Sequence, residues 1–269
     1  MRFKMELAFL SDTGKMRDKN EDSALTDPAL GLAIVADGMG GHSSGEVASS
    51  MAVKVTRDKF ESMRRTGLKP GDYDPKYSLE TNQLGFAVQL ANSVIYEAGN
   101  SIPENKGMGT TLSAILLAGD KIVISHIGDS RVYLFRDGVL QQVTEDHSLV
   151  MEHVRKGLLT QEQAEKSPLQ NILTRALGAQ KLPQIDLKEV PAMQNDRFLL
   201  CTDGLFKAVT AEKIAGILKS TPEAQKACEL MVKTANENGG PDNVTVIIGL
   251  LKKKTLKETL GDILKKSYA

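Results

Sequence analysis

The sequence predicts an α+β layered sandwich, in which antiparallel sheets pack against helices. Short apolar segments typical of strands come in runs, and tight turns such as Arg136-Asp137-Gly138 separate several of them by the distances found in β-hairpins. Helical patterns come in blocks between those runs. A parallel βαβ fold would instead alternate single strands with single helices, so the order of the elements disfavours that fold.

Eight segments have the composition and length of strands: residues 5–10, 32–36, 111–118, 121–127, 131–136, 184–190, 197–202 and 243–250. Five segments have helical signals: residues 43–65, about 78–100, 148–156, 160–166 and about 221–236. Capping residues support three helix starts. Ser43 and Thr160 each precede a glutamate or glutamine by three residues, which is the spacing of a capping box, and Thr221 would cap a helix that has Pro222 at its first position.

Composition limits the classes of function. The chain has 269 residues, 41% of them hydrophobic, which allows one continuous core in one large domain or two small domains. Lysine plus arginine equals aspartate plus glutamate at 34 each, which argues against nucleic acid or a membrane surface as the main partner. Cys201 and Cys228 predict no disulfide framework and fit a reducing cytoplasm. The chain has no apolar run as long as a membrane span.

Four aspartates stand beside strand-like segments, next to residues that force a tight turn. Asp37, Asp129 and Asp203 end the segments LAIVAD, IVISHIGD and RFLLCTD, and a neighbouring glycine supplies the turn. Asp242 lies just before the segment NVTVIIGL. Strands that end in aspartate bring carboxylates to one rim of a sheet, and crowded carboxylates are neutralised by hard divalent cations. The pattern predicts a metal-dependent hydrolase.

The expected ligands are all oxygens, which favours magnesium or manganese. No cysteine and histidine set has the spacing of a structural zinc site, so zinc is disfavoured. Two ions that share Asp37 would activate a bridging water and hold a phosphoryl oxygen. The sequence lacks a P-loop, the kinase motifs and a cysteine followed by a phosphate-cradling loop. Direct attack by water therefore fits better than a covalent intermediate.

The N-terminal segment SDTGKMRDKNEDS carries further candidates. Arg17 can form a bidentate contact with a phosphate, and Glu21 and Asp22 can hold metal-bound waters. A calcium loop beginning at Asp18 fails, because Ser23 occupies the position that requires glycine. The competing interpretation of the segment is a solvated charged loop.

The aspartates also have plainer interpretations. An isolated Asp-Gly is usually a turn, Asp129 could belong to a hairpin turn, and Asp242 could form an Asx-turn. The recurrence of the apolar segment followed by Asp-Gly, at Asp37 and again at Asp203, raises the odds of a metal site. The constellation carries the prediction, and no single member does.

The four histidines receive different predictions. His126 lies inside an apolar strand and is expected in the core, and His153 is expected on a helix surface. His147 is placed to start that helix. His42 follows the glycine-rich turn after Asp37, where a structural role and an acid–base role are both open.

Eight motifs together resemble one known family. In chain order they are SDTGKMRDKNEDS, VADGMGGH, GTTLSAILL, HIGDSRVYLFRDG, EDHSLV, LTRALG, CTDG and PDNVTVI. This order is similar to that of the protein phosphatase 2C family of metal-dependent serine/threonine phosphatases, in its bacterial branch. The resemblance covers about residues 6–250 and implies a catalytic domain at 1–251, with a mobile flap at about 146–175. Residues 252–269 are a basic tail with helical amphipathicity.

The resemblance implies a four-layer αββα sandwich with a binuclear metal cleft at one end. Two antiparallel sheets would be flanked by helix pairs. Asp37 would bridge two metal ions, and the carbonyl group of Gly38 would bind one of them. Asp203 and Asp242 would complete the pair of sites.

Further roles follow from the same resemblance. Glu21 and Asp22 would bind the ions through water. Asp129 together with Asp203 would hold a weaker third ion, as in bacterial members. Arg17 would bind the phosphate group of the substrate.

Two departures from the family pattern concern substrate handling. Members with a histidine directly after the metal-binding Asp-Gly use it as a candidate general acid, and this chain has Met39 there, which leaves His42 as the nearby candidate. Related bacterial chains commonly read HPxRN where residues 167–171 read SPLQN. The lost histidine and arginine side chains could change substrate docking without touching the metal site.

The implied function is hydrolysis of phosphoserine and phosphothreonine in proteins, with two Mn²⁺ or Mg²⁺ ions and a weaker third. The expected partners are phosphorylated proteins and a cognate serine/threonine kinase, and a monomer in the cytoplasm is expected. The alternative is a non-catalytic phosphoprotein-binding or regulatory module on the same fold. Such a module would be expected to lose metal aspartates, and this chain keeps all four. An adaptor that uses the tail as a partner helix is a third hypothesis.

Overall fold

Two antiparallel β-sheets stack face to face, and a pair of helices covers the outer face of each. The computed structural model describes residues 2–40 and 44–255. Its strands are β1 (Phe3–Asp12), β2 (Asp22–Asp27), β3 (Leu32–Met39), β4 (Gly109–Thr110), β5 (Leu112–Ala118), β6 (Lys121–Ile127), β7 (Arg131–Arg136), β8 (Val139–Gln142), β9 (Asp186–Pro191), β10 (Arg197–Cys201) and β11 (Val244–Lys253). Its α-helices are α1 (Ser44–Thr66), α2 (Leu79–Ser101), α3 (Leu149–Arg155), α4 (Gln161–Glu165), α5 (Asp203–Phe206), α6 (Ala211–Ser220) and α7 (Ala224–Glu237).

The first sheet has the strand order β1-β11-β10-β7-β8, and the second has the order β2-β3-β5-β6-β9, with β4 added beside β3. All the pairings are antiparallel. Helices α1 and α2 pack on the second sheet, and α6 and α7 pack on the first. This is the predicted αββα sandwich, and the antiparallel pairing confirms that the fold is not a parallel βαβ sheet.

Strand β3 illustrates why the central strands read as continuous apolar runs. Its alternate residues Leu32 and Ile34 pack toward the helices α1 and α2. Ala33 and Val35, between them, pack into the core between the two sheets. Side chains of a strand alternate between its two faces, so a strand covered on both faces must be apolar throughout. The polar residue that ends such a strand is therefore conspicuous.

All eight predicted strands are present, and the strands that sequence patterns missed are short or at sheet edges. Strand β2 reads DSALTD and β8 reads VLQQ, and each lies at an edge of its sheet. An edge strand has one side free of neighbours and faces solvent, so it needs no apolar run. The two-residue strand β4 is too short to leave a periodic pattern.

One predicted helix start is wrong. Helix α7 begins at Ala224 after Glu223, rather than at Thr221 and Pro222, and its N-cap makes no side-chain hydrogen bond. Thr221 instead ends the preceding helix α6, which was not predicted, by donating its backbone N–H to the carbonyl of Ile217. The capping box of Thr160 and Gln163 at α4 is confirmed. The predicted cap at Ser43 lies outside the described residues.

The last strand ends two residues beyond the predicted domain boundary at 251. Lys253 of β11 still pairs with Phe3 of β1. Residues 256–269, which carry most of the predicted amphipathic tail, lie outside the described residues. Within the described part of the chain, none of the helices combines the length and the apolar character that a membrane crossing would need.

Candidate metal centre

Strand ends bring the predicted carboxylates to one end of the sandwich. Asp37 near the end of β3 pairs directly with Asp22 at the start of β2. Asp203 follows β10, and Asp242 precedes the neighbouring antiparallel strand β11. Asp129 lies in the turn between β6 and β7. The antiparallel order places the end of one strand beside the start of the next, so these turns converge at one rim.

A cleft of about 720 Å³ opens at this rim. It is lined by most of the predicted site residues: Arg17, Glu21, Asp37, Gly38, Asp203 and Asp242. Met39 and Gly40, which follow Asp37 in the chain, also line the cleft, and so does Asn171 of the predicted flap. Asp129 instead lines an adjoining pocket of about 520 Å³. Asp22 is buried below the cleft, and His42 lies outside the described residues.

The backbone around Asp37 is held on both sides. The Asp37 N–H donates to the hydroxyl of Thr111 at 2.9 Å, and the hydroxyl of Thr110 donates to the Asp37 carbonyl at 2.8 Å. Gly38 packs so closely that a β-carbon there would lie 2.1 Å from the carbonyl oxygen of Gly45 in α1. Any side chain at this position would push α1 away from β3. The glycine of the Asp-Gly pair is therefore required by packing, whatever its carbonyl group binds.

The carboxylates interact strongly with one another. Burial raises the pKa of Asp37 well above its ordinary value, and the neighbouring charges of Asp22, Asp203, Asp129 and Asp242 raise it further. Burial likewise raises the pKa of Asp22 to about 7 and that of Asp129 to about 7, with a contribution from Asp203 in both cases. Each ionised form is disfavoured because it lacks solvent and faces like charges. A bound cation would relieve both effects.

One carboxylate oxygen of Asp22 accepts two hydrogen bonds, and the other has no hydrogen-bond partner among the described residues. Its Oδ2 accepts hydrogen bonds from the hydroxyls of Thr202 at 2.8 Å and Thr245 at 2.7 Å. Its Oδ1 is buried and has no hydrogen-bond partner among the described residues. A buried oxygen of this kind is costly unless something donates to it. A water on a metal ion would be such a donor, so the residues present fit a divalent cation with an all-oxygen environment.

Two cations of the chain neutralise two of the candidate ligands. The Arg17 guanidinium donates to Asp242 Oδ2 at 2.8 Å, and the Lys207 ammonium contacts Asp203 Oδ2. Burial opposes the charge of Lys207, yet Asp203, and beyond it Asp129 and Asp242, leave its pKa raised. Within the described part of the chain, no three histidine, cysteine, aspartate or glutamate side chains are already drawn together as a complete metal-binding set; Asp203 and Asp242 are held by Lys207 and Arg17 instead.

Asn243 is a structural residue of the site that the sequence patterns did not identify. Its Oδ1 accepts from the N–H of Glu21 at 2.9 Å, and its Nδ2 donates to the carbonyls of Thr13 and Lys19, both at 2.8 Å. One side chain thus joins the N-terminal loop that carries Arg17 to the turn before β11. Its position next to the Asp242 turn was the available signal.

A buried histidine pair supports the turn that carries Asp129. His126 is in the core, as predicted, and burial lowers its pKa to about 3. Its ring lies 4.7 Å from that of His147. His147 does not start helix α3, because Ser148 is the N-cap of that helix. His147 Nδ1 instead accepts from the N–H of Gly128 at 3.0 Å, so its protonated Nε2 donates to Asp186 at 3.1 Å.

Comparisons with known proteins agree with this arrangement. The family model described as protein phosphatase 2C matches residues 16–261. The serine/threonine phosphatase stp of Listeria monocytogenes serotype 4b is 39% identical over 247 residues, which cover 91% of this chain and 95% of the relative. The serine/threonine protein phosphatase PstP of Mycobacterium tuberculosis is 40% identical over 245 residues, which are 91% of this chain and 44% of that protein.

Solved structures extend the likeness to three dimensions. The crystal structure of the Mycobacterium tuberculosis phosphatase PstP/Ppp superposes with a TM-score of 0.80 at 38% identity, covering 93% of this chain and 99% of that one. A structure of the PstP catalytic domain in complex with two manganese ions has a TM-score of 0.77 at 36% identity, covering 93% of this chain and all of that one. With the αββα sandwich and the carboxylates at its rim, these matches place the chain in the protein phosphatase 2C family.

Proposed function

We propose that this chain is a metal-dependent protein serine/threonine phosphatase. The observation that carries the proposal is the rim of the sandwich, where Asp37 is buried beside the charges of Asp22, Asp203 and Asp242. Arg17 lines the same cleft as Asp37. The curated relatives are named serine/threonine phosphatases. The cleft is open to solvent and large enough for a phosphorylated side chain.

Two divalent ions are the cofactors we propose. Asp37 would bind both ions, the carbonyl of Gly38 would bind one, and Asp203 and Asp242 would complete the set. When bound, the ions supply the Lewis acidity that activates a water for attack on phosphorus. A crystallised relative carries two manganese ions. Manganese or magnesium fits the oxygen donors here.

Two groups of residues would assist the ion pair. Glu21 and Asp22 would act through bound water, for which the unpartnered Oδ1 of Asp22 is suited. Asp129 and Asp203 are the proposed ligands of a third, weaker ion. Only two carboxylates are proposed as ligands of the third ion, fewer than for the pair of ions, which is consistent with a lower affinity for the third ion.

Arg17 is the proposed phosphate-binding residue. Its side chain is 54% exposed and its guanidinium uses one nitrogen for Asp242. The remaining donors of the planar group can form a bidentate contact with two phosphoryl oxygens. Arg17 would hold the phosphate in line with the ions and neutralise charge that develops during transfer.

The chain offers no cysteine for a covalent intermediate. Cys201 and Cys228 are both buried, and burial raises the pKa of each thiol to about 12. A thiol of this kind is not ionised near neutral pH and cannot reach a substrate. Direct attack by water is therefore the proposed route. For the proton of the leaving group we retain His42, which in the sequence is two residues after Gly40, a residue that lines the cleft.

Phosphorylated proteins are the proposed substrates, with a cognate serine/threonine kinase as the enzyme that produces them. We also propose that the chain acts as a monomer in the cytoplasm. Its balanced charge of 34 basic and 34 acidic residues leaves it without a general attraction to polyanions.

The deciding experiment is release of phosphate from a phosphothreonine peptide and from a small aryl phosphate, measured with manganese, with magnesium and after exhaustive chelation. We expect hydrolysis of both substrates with metal and none after chelation, restored when metal is added back. Activity that survives chelation would refute the metal-dependent mechanism. A non-catalytic module would bind the phosphopeptide in every condition and release no phosphate.

A further inference from the structure

Lys207 places a positive charge at one of the candidate metal ligands. It lies four residues after Asp203, directly beyond the short helix α5, and its ammonium contacts Asp203 Oδ2. The same Nζ donates to Asn171 Oδ1 at 2.7 Å. Asn171 belongs to the segment 146–175, the predicted flap. One ammonium thus joins a carboxylate of the metal centre to the flap.

Lys207 also shares a pocket with Asp129, the other candidate ligand of a third ion. Asp203 lines the cleft that also holds Asp37 and Asp242. Lys207 lines the adjoining pocket of about 520 Å³, together with Asp129. Lys207 thus contacts one of the two carboxylates proposed for a third ion and lines the same pocket as the other. A third ion shared by Asp129 and Asp203 would have to bind close to the lysine.

We propose that the Lys207 ammonium takes the place of the third cation between Asp203 and Asp129, so that this chain retains two divalent ions and binds a third only when the lysine is displaced. This inference rests on the proposed two-ion centre. A divalent ion and an ammonium a few ångströms apart repel strongly in a partly buried site. The lysine also needs no metal to neutralise Asp203, so the third site is occupied by the chain itself.

The contact of Lys207 with Asn171 has a second consequence if the ammonium takes the place of a third ion. A third ion that displaced the ammonium would also break its hydrogen bond to the flap. Occupancy of the third site and the position of residues 167–175 are then linked. An ordinary ion pair between residues four apart on a helix contributes little and has no such link.

The test is a manganese titration of three proteins by calorimetry, followed by anomalous diffraction from crystals of each. Lys207→Met removes the charge and keeps the length of the side chain. Asn171→Ala breaks the contact with the flap and keeps the ammonium. Lys213→Met, at an exposed position on α6, removes the same charge away from the site and serves as the control.

We expect the wild-type protein, Asn171→Ala and Lys213→Met to bind two manganese ions and to show no third ion beside Asp129 at concentrations that saturate the pair. We expect Lys207→Met to bind a third ion at least about tenfold more tightly than wild type, because loss of one unit charge at a few ångströms exceeds that effect. Its anomalous peak should contact Asp129, and Lys207→Met/Asp129→Asn should lose it. Exchange of backbone amides in 167–175 should quicken in Lys207→Met.

A third ion bound equally well by wild type and Lys207→Met would overturn the inference while leaving the two-ion centre intact. A third ion that fails to appear in Lys207→Met, although the pair is filled, would overturn it as well. A protein that binds no manganese beside Asp37 would instead refute the proposed function. Manganese stoichiometry thus separates failure of the inference from failure of the function.

Discussion

Asp37 is the residue on which the proposed centre depends. Its backbone is fixed by Thr110 and Thr111, and its buried carboxylate lies near the charges of four other aspartates. A group that is fixed in place and raised in pKa by its neighbours is suited to bind a cation and poorly suited to packing alone. The charge of Asp37, more than its shape, is therefore what the site requires.

Asp37→Asn should lower phosphate release by on the order of a hundredfold or more, the scale seen when a principal electrostatic group is deleted. The substitution keeps the shape and removes a charge that both ions share. Calorimetry should show weaker manganese binding. Asp137→Asn, in the exposed turn between β7 and β8, is the control and should keep both properties. Full activity of Asp37→Asn at saturating metal would contradict the bridging role.

Arg17→Ala should raise the KM for a phosphopeptide, because the proposed contact of Arg17 is with the phosphate group rather than with the ions. A loss in kcat should accompany it if the contact tightens in the transition state. Manganese affinity should change little. Lys15→Ala removes an exposed charge from the same loop and is the control. If Arg17→Ala and Lys15→Ala have the same KM and kcat, Arg17 does not bind the phosphate and is a solvated loop residue.

At the scale of elements, glycines at the rim allow turns to approach one another closely. Gly14 follows β1 with a φ of +78°, and a β-carbon there would lie 2.2 Å from the carbonyl oxygen of Asp242. Gly138 in the turn between β7 and β8 has a similar φ of +82° but nothing within 4 Å of such a carbon. Both glycines have a left-handed backbone conformation, but only Gly14 lies in close contact with another turn.

Gly138→Ala should therefore cost about 1–2 kcal/mol, the penalty for a left-handed residue with a side chain. Gly14→Ala should cost more, and it should also weaken manganese binding because it moves the turn that carries Asp242. Chemical denaturation and calorimetry on both variants measure the two effects. Equal stabilities together with unchanged metal affinity would show that the turns at the rim are not coupled.

Sequence patterns predicted the elements that are apolar on both faces and the carboxylates that end them. The segment before Asp37 could be identified because β3 is buried on both sides, so its polar end stands out. The contacts of Lys207 with Asn171, of Asn243 with Thr13 and of His147 with Asp186 were not predicted, since each joins residues far apart in the chain. The edge strand β2 was missed for a related reason, because half of its surroundings are solvent.

At the scale of the whole molecule, the buried carboxylates link stability to pH. The pKa of Asp22 and that of Asp129 are raised to about 7, and that of Asp37 is raised further above its ordinary value, whereas unfolded aspartates titrate near 3.9. The folded, metal-free protein therefore binds more protons than the unfolded chain between about pH 4 and pH 7. Its free energy of unfolding should fall as pH rises through that range.

The buried, neutral His126 acts in the opposite direction. Its pKa is lowered to about 3, so the unfolded chain takes up the extra proton below about pH 6.5 and stability rises with pH there. This contribution is about half complete at pH 6.5 and fully present about one pH unit higher. Between pH 6.5 and pH 8.5 the three buried carboxylates outweigh this single histidine and set the sign of the slope.

The melting temperature of the metal-free protein should therefore fall by a few degrees between pH 6.5 and pH 8.5, at about 2–4 °C for each kcal/mol lost. Manganese should remove most of this fall, since a bound cation stabilises the ionised carboxylates. Scanning calorimetry with chelator and with manganese at three pH values measures both trends. A metal-free melting temperature that stays level or rises across the window would contradict the assigned pKa shifts.

The most direct test of the whole account is the anomalous diffraction of manganese in crystals of the wild-type protein. We predict two strong peaks in the cleft, both within bonding distance of the Asp37 carboxylate, with Asp203 and Asp242 as further ligands. Manganese that binds elsewhere, or a cleft without manganese beside Asp37 at saturating concentration, would contradict the account.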